Sequence, residues 1–135
     1  MADPNYYYAL GRRKSATARV RLMKAKNATS TIVVNGKPAN EYFADSVFLL
    51  TKLNGPFTVL ELENKYDVTA VVSGGGHDGQ IEAIRLGISK ALTIFNEDLK
   101  QTLKRADMLS RDPRDKERKK FGLKGARKQR QFTKR

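Results

Sequence analysis

The sequence predicts a mixed α/β body followed by a cationic extension, and three observations predict it. Residues 16–23 alternate, with Ala18, Val20 and Leu22 on one side and Thr17, Arg19 and Arg21 on the other, the period-2 pattern of a half-buried strand. Ile81, Ile84, Ile88, Ala91, Leu92 and Phe95 recur at three- and four-residue steps, which gives a helix one apolar stripe while Glu82, Arg85 and Lys90 face outward. Charge divides unevenly: residues 111–135 carry twelve lysines and arginines against three acids, +9 of the chain's +13. The chain therefore divides into a body, residues 1–110, and an extension, residues 111–135, that has little to bury and gains order by neutralising something anionic.

The elements follow in order. Residues 6–10 read as a short strand, 11–14 as a cationic turn and 16–23 as the next strand. Arg12, Arg13 and Lys14 sit at the mouth of that hairpin with Arg19 and Arg21 on its second strand, so five cations are expected at one end of the sheet, a surface for phosphates in preference to the alternative of a plain solvated face. Residues 31–34 form a third strand, ended by the turn signal Asn35-Gly36. Residues 38–43 read better as a short helix with Pro38 near its first turn than as a returning strand. Asp45 is expected to cap a second short helix running to Leu53 and closed by Asn54-Gly55-Pro56. Residues 57–61 and 66–72 read as further strands, and 97–105 as an amphipathic helix after the main one. In the extension, Asp112-Pro113 is expected to cap and open a short basic helix that Gly122 stops, with extended backbone beyond Gly125.

Composition narrows the function classes. With no cysteine, disulfides, thiolate metal sites and cysteine nucleophiles are excluded. No apolar run approaches the roughly 20 residues of a membrane span. Residues 1–10 lack the cation-then-apolar order of a signal peptide. The expectation is a soluble, basic, cytoplasmic protein without membrane, cofactor, metal or small-molecule substrate.

Gly74, Gly76 and Gly79 satisfy G-x-G-x-x-G between a strand and a helix, yet the repeated βαβ organisation and a strand-end acid are missing, and no Gly-Lys-Ser/Thr follows. Two readings of the loop stand: a tight strand-to-helix turn, or backbone N–H groups and a helix N-terminus that grip an RNA phosphate. His77, the single histidine, has no partner for acid–base chemistry and no companion ligands for a metal. The chain is not expected to be an enzyme.

Three stretches together resemble one family. They are Gly11-Arg12-Arg13-Lys14-Ser15-Ala16-Thr17-Ala18-Arg19-Val20-Arg21-Leu22; Gly74-Gly75-Gly76 with Gly79-Gln80 and Ala83-Ile84-Arg85; and Ser110-Arg111-Asp112-Pro113-Arg114 through Glu117-Arg118-Lys119-Lys120-Phe121-Gly122-Leu123-Lys124 to Gln131-Phe132-Thr133-Lys134-Arg135. The chain resembles the bacterial-type small-subunit ribosomal protein nine family over essentially its whole length. It departs in Lys90 and Thr133, which keep charge and hydroxyl, and in Ile81-Glu82, where smaller residues are usual.

The resemblance implies an α/β two-layer sandwich: a four-stranded sheet with helices on one face and a left-handed βαβ crossover, exceptional in hand. It implies a structural place in the head of the small ribosomal subunit, bound to 16S ribosomal RNA and neighbouring head proteins. The tail would reach the peptidyl-site transfer RNA through Lys134 and Arg135. The ribosomal RNA contacts it suggests are Arg12, Arg13, Lys14, Arg19, Arg21, Gly75, Gly76, Gln80 and Arg85 in the body. In the extension they are Arg111, Arg114, Arg118, Lys119, Lys120, Lys124, Arg127, Lys128 and Arg130. Phe121, Phe132 and Tyr66 are candidates to stack on unpaired bases, with a packing role standing equally for Phe121 and Tyr66. The rival is a free-standing basic RNA- or DNA-binding protein, since basic tails bind most polyanions.

Overall fold

A computed structural model of the chain describes residues 5–134. Two strands open it, β1 (Tyr7–Arg13) and β2 (Ala16–Lys24), paired antiparallel with Tyr8 opposite Arg21 and Arg13 opposite Ala16. The strand thus runs through Gly11, Arg12 and Arg13, and the expected four-residue turn shrinks to Lys14-Ser15, with Lys14 in the left-handed region at φ 52°. β3 (Ile32–Val34) ends at Asn35-Gly36, whose φ values of 51° and 80° make the two-residue hairpin turn that matches strand twist. The chain does return as a strand there, β4 (Lys37–Pro38), before α1 (Ala39–Tyr42) begins, so both readings of that stretch are realised in turn.

α2 (Val47–Val59) differs from expectation. Ser46 rather than Asp45 precedes it, and it passes straight through Asn54-Gly55-Pro56, so residues 57–61 are not a strand. Pro56 removes one backbone hydrogen bond and crowds the preceding turn, which costs a helix about 3 kcal/mol. Leu53 and Phe57, one helical turn apart, are both buried, and each such side chain contributes about 1.5–3 kcal/mol. Packing outweighs the local stop signal.

β5 (Tyr66–Ser73) pairs antiparallel with β2 and parallel with β3, which gives a sheet in the order β1-β2-β5-β3-β4. The parallel pair β3 and β5 is joined through α1 and α2, the βαβ crossover. β4 adds a two-residue edge to the four strands expected. α3 (His77–Phe95) then crosses β1 and β2, and α2 and α4 (Leu99–Arg105) lie against it. The apolar stripe is buried as its spacing predicts: Ile81, Ile84, Ile88 and Leu92 meet Ala18, Val20 and Leu22 of β2 and Val68 and Ala70 of β5 in one core. Two glycines set how closely that helix sits. A Cβ on Gly11 would lie 1.8 Å from the Ala83 carbonyl oxygen, and one on Gly87 would lie 2.5 Å from the Val20 side chain. No described helix is long and apolar enough to cross a membrane.

The helix expected after Asp112-Pro113 does not form; residues 111–120 have no regular structure. Its cap is made, since the Arg114 backbone N–H donates to Asp112 Oδ1 at 3.0 Å, but nothing propagates it. A short helix must bury a face to repay nucleation, and this segment offers neighbouring like charges instead. Further on, an isolated bridge between Leu123 and Gln129 and a Lys124 N–H to Lys128 carbonyl bond of 2.8 Å close a small loop. The extension is therefore irregular chain with one local turn.

Candidate nucleic-acid interface

The two faces of the sheet sort the arginines of the first hairpin. Arg12, Arg19 and Arg21 are exposed on the face away from the helices, whereas Arg13 falls on the helix side and is buried. Arg12 lies opposite Thr17, so the exposed three form a row along β1 and β2 rather than a cluster at the turn. The expectation of five cations at one end is corrected to a stripe, because strand alternation continues through Gly11–Arg13 and turns Arg13 inward. Lys14 is exposed in the turn.

Arg13 is the centre of an ion-pair network. Its Nε donates to Glu82, its Nη1 donates to the Arg114 carbonyl at 2.7 Å, and Nη2 lies 3.3 Å from Asp112 Oδ2. Glu82 also receives Lys52 Nζ at 2.8 Å, and Lys52 reaches Asp78 at 2.9 Å. Asp112 in turn binds Arg114. The network joins β1, α2, α3 and the root of the extension, so the tail leaves the body from a fixed point. Glu82, one of the departures from the resembled pattern, is its acidic hub. Nothing in the local sequence marks Lys52, Asp78 and Glu82 as a group, because their spacing, 26 and 30 residues from Lys52, carries no local signal.

Burial pushes the Glu82 carboxyl up, but the hydrogen bonds and charges of Lys52 and Arg13 outweigh it, and the group sits below its ordinary value of 4.5. Lys52 is likewise depressed by burial and raised more strongly by Glu82 and Asp78, for a net rise. Hydrogen bonds from Arg114 hold Asp112 well below the usual carboxylate range. A carboxyl depressed in the folded state stabilises above its unfolded value, and that stability is lost as pH falls through the folded one. Glu82→Gln is therefore expected to be less stable than wild type at neutral pH and to lose less on acidification below 4.5. Urea unfolding at neutral and acidic pH checks this; parallel losses in the two proteins would refute it.

The glycine loop has a packing explanation. Gly74 and Gly75 take φ values of 74° and 68°, and a Cβ on Gly74 would lie 2.5 Å from the Ser15 carbonyl oxygen of the hairpin turn. Gly76 opens α3 with extended backbone and free space around it. Gln80 is buried and donates to the Gly74 carbonyl at 3.1 Å while accepting from the Tyr42 hydroxyl at 2.9 Å. His77 rests against the rings of Tyr42 and Phe43. Among the described residues no group of His, Cys, Asp or Glu could hold a metal ion.

Arg85 is half-buried beside Arg12, Arg13 and Arg111 around a small cleft that also includes Glu82 and Asp112. Among the described residues, Arg12, Arg19, Arg21, Arg85 and Arg111 have no carboxylate partner. In the extension Glu117 pairs with Lys120 and with Arg127, while Arg118, Lys119, Lys124, Lys128 and Arg130 have no carboxylate partner among the described residues. Lys134 is exposed; Arg135 lies outside the described residues. Of the stacking candidates, Phe121 and Phe132 are almost wholly exposed, but Tyr66 is buried between Phe57 and Phe95 as a core residue.

The model of the family described as ribosomal protein S9/S16 matches residues 11–135. The chain is 47% identical over 129 residues to the small ribosomal subunit protein uS9 of Malacoplasma penetrans, covering 96% of each chain. It is 46% identical over 133 residues to that of Mycoplasma genitalium, covering 98% of this chain and 99% of the relative. To that of Solidesulfovibrio magneticus it is 47% identical over 135 residues, the whole of both.

Proposed function

The chain belongs to the ribosomal protein S9/S16 family, structural components of the small ribosomal subunit rather than enzymes, and from that premise we propose that it binds 16S ribosomal RNA and reaches transfer RNA in the peptidyl site. The observation that carries the reading is the extension: free cations on irregular, exposed chain, anchored at its root by Arg13 and Asp112. A thin cationic strand enters gaps between RNA helices that a globular domain cannot fill, and its contacts are to phosphates, which position without reading sequence. Arg118, Lys119, Lys124, Lys128 and Arg130 supply that charge, with Arg111 at the root; Lys120 and Arg127 add theirs on leaving Glu117, and Arg114 on leaving Asp112. Arg12, Lys14, Arg19, Arg21 and Arg85 add phosphate contacts from the body. Arg13 serves by holding the root, and Gly75, Gly76 and Gln80 by shaping the loop beside it. Lys134 and Arg135 are the residues assigned to transfer RNA. The working location on this reading is the cytoplasmic ribosome, among neighbouring proteins of the subunit head.

Crosslinking of the protein to RNA in cells tests the proposal. The expected sites lie in the 3′ region of small-subunit ribosomal RNA, with tail crosslinks to transfer RNA. Crosslinks scattered over messages or DNA would instead identify a free-standing nucleic-acid binder. Removing Lys134 and Arg135 is expected to weaken peptidyl-site binding to a similar degree for different transfer RNAs, because backbone charge is common to all. A loss confined to one transfer RNA, measured by filter binding to small subunits, would contradict it.

A further inference from the structure

We infer that the open face of the sheet holds one unpaired nucleotide in a site formed by Tyr8, Arg19, Arg21, Thr69 and Val71; the inference rests on the RNA-binding reading above. These five side chains border a concavity of about 440 Å³. They come from three adjacent strands in register: Tyr8 lies opposite Arg21, Arg21 opposite Thr69, and Arg19 opposite Val71. The helices cover only the other face, so nothing in the core explains what Tyr8 and Val71 are for, 46% and 45% exposed on a face where polar side chains would suffice.

The chemistry of the lining selects the ligand. Tyr8 offers a ring to the π-face of a base, and Val71 an apolar surface beside it. Arg19 and Arg21, two residues apart on one strand, point the same way and have no carboxylate among the described residues to neutralise them. Arg21 lies over the Tyr6 ring at 5.1 Å, which restrains its guanidinium. Thr69 provides a hydroxyl that can donate or accept. Aromatic ring, paired cations and hydroxyl on an open sheet are the means by which sheet surfaces take single-stranded RNA, with bases stacked on the ring and phosphates on the cations. A duplex keeps its bases stacked inside and cannot use the ring. An acidic protein segment would satisfy the arginines but leave the tyrosine without a role, so the nucleotide is the better fit.

The test uses the full chain with two probes, a single-stranded oligoribonucleotide containing 2-aminopurine and a blunt RNA duplex of equal length. Tyr8→Leu lies on the open face and leaves the core untouched. It is expected to weaken single-strand binding about tenfold, to remove the 2-aminopurine quench and to leave duplex binding within about twofold. Tyr8→Phe is expected to keep the wild-type affinity and quench. Tyr8→Leu that binds both probes like wild type, or loses equally on both, overturns the site; so does Tyr8→Phe failing like Tyr8→Leu. Tyr8-dependent capture of a glutamate-rich peptide would reassign the face to a protein partner. A wild-type chain that binds neither RNA would sink the RNA-binding reading itself, a result distinct from all of these.

Discussion

Gly11→Ala is expected to destabilise the body by about 3–5 kcal/mol, at or beyond the upper end of ordinary overpacking. The added Cβ would stand 1.8 Å from the Ala83 carbonyl oxygen and 2.7 Å from the Gly87 nitrogen, both backbone atoms of α3. Backbone cannot rotate away as a side chain can, so the helix must lift off β1. That movement would open the contacts of Ile84 and Ile88, which are fully buried against the sheet. A domain of this size holds only about 5–15 kcal/mol in total. The melting temperature should therefore fall by about 15–30 °C. Gly76→Ala is the control. It adds a Cβ in open space at φ −93°, a conformation any residue adopts, and is expected to melt with the wild type. Calorimetry on the three proteins decides the matter; a Gly11→Ala variant within about 2 °C of wild type would mean that α3 does not press on β1 as described.

Gly11 also marks the limit of what local sequence encodes. The alternation of residues 16–23 and the stripe from Ile81 to Phe95 were legible because each encodes burial in its own local period. Glycine beside Arg12, Arg13 and Lys14 looks like a turn, and only the approach of a helix 72 residues later shows why glycine stands inside a strand. The same non-locality hid the true length of α2, where the burial of Leu53 and Phe57 overrides Pro56. It failed in the opposite direction at Asp112, where a good cap begins a helix that has nothing to bury. The charge division was fully legible, since a count of cations needs no fold. Which cations are free was not. Arg12 and Arg13 are neighbours in sequence, yet strand alternation sends one to solvent and the other onto Glu82 and Asp112.

That difference makes the extension's role measurable. Replacing Arg118, Lys119, Lys120, Lys124, Arg127 and Lys128 by glutamine is expected to cut RNA affinity about a hundredfold or more at physiological salt. The slope of log K against log salt should fall by about four, since each neutralised phosphate contributes about 0.7–0.9. The drop stays short of the full count because Lys120 and Arg127 must leave Glu117 to meet a phosphate. Arg13→Gln removes a cation too, but one already committed to Glu82, Asp112 and the Arg114 carbonyl. It should leave the slope unchanged and instead cost about 2–4 kcal/mol of stability, the penalty for breaking a mostly buried pair. Binding titrations over a salt series, paired with urea unfolding, separate the two effects. If the glutamine variant keeps the wild-type slope, the extension does not carry the phosphate contacts. If Arg13→Gln lowers the slope without loss of stability, Arg13 contacts RNA rather than anchoring the tail.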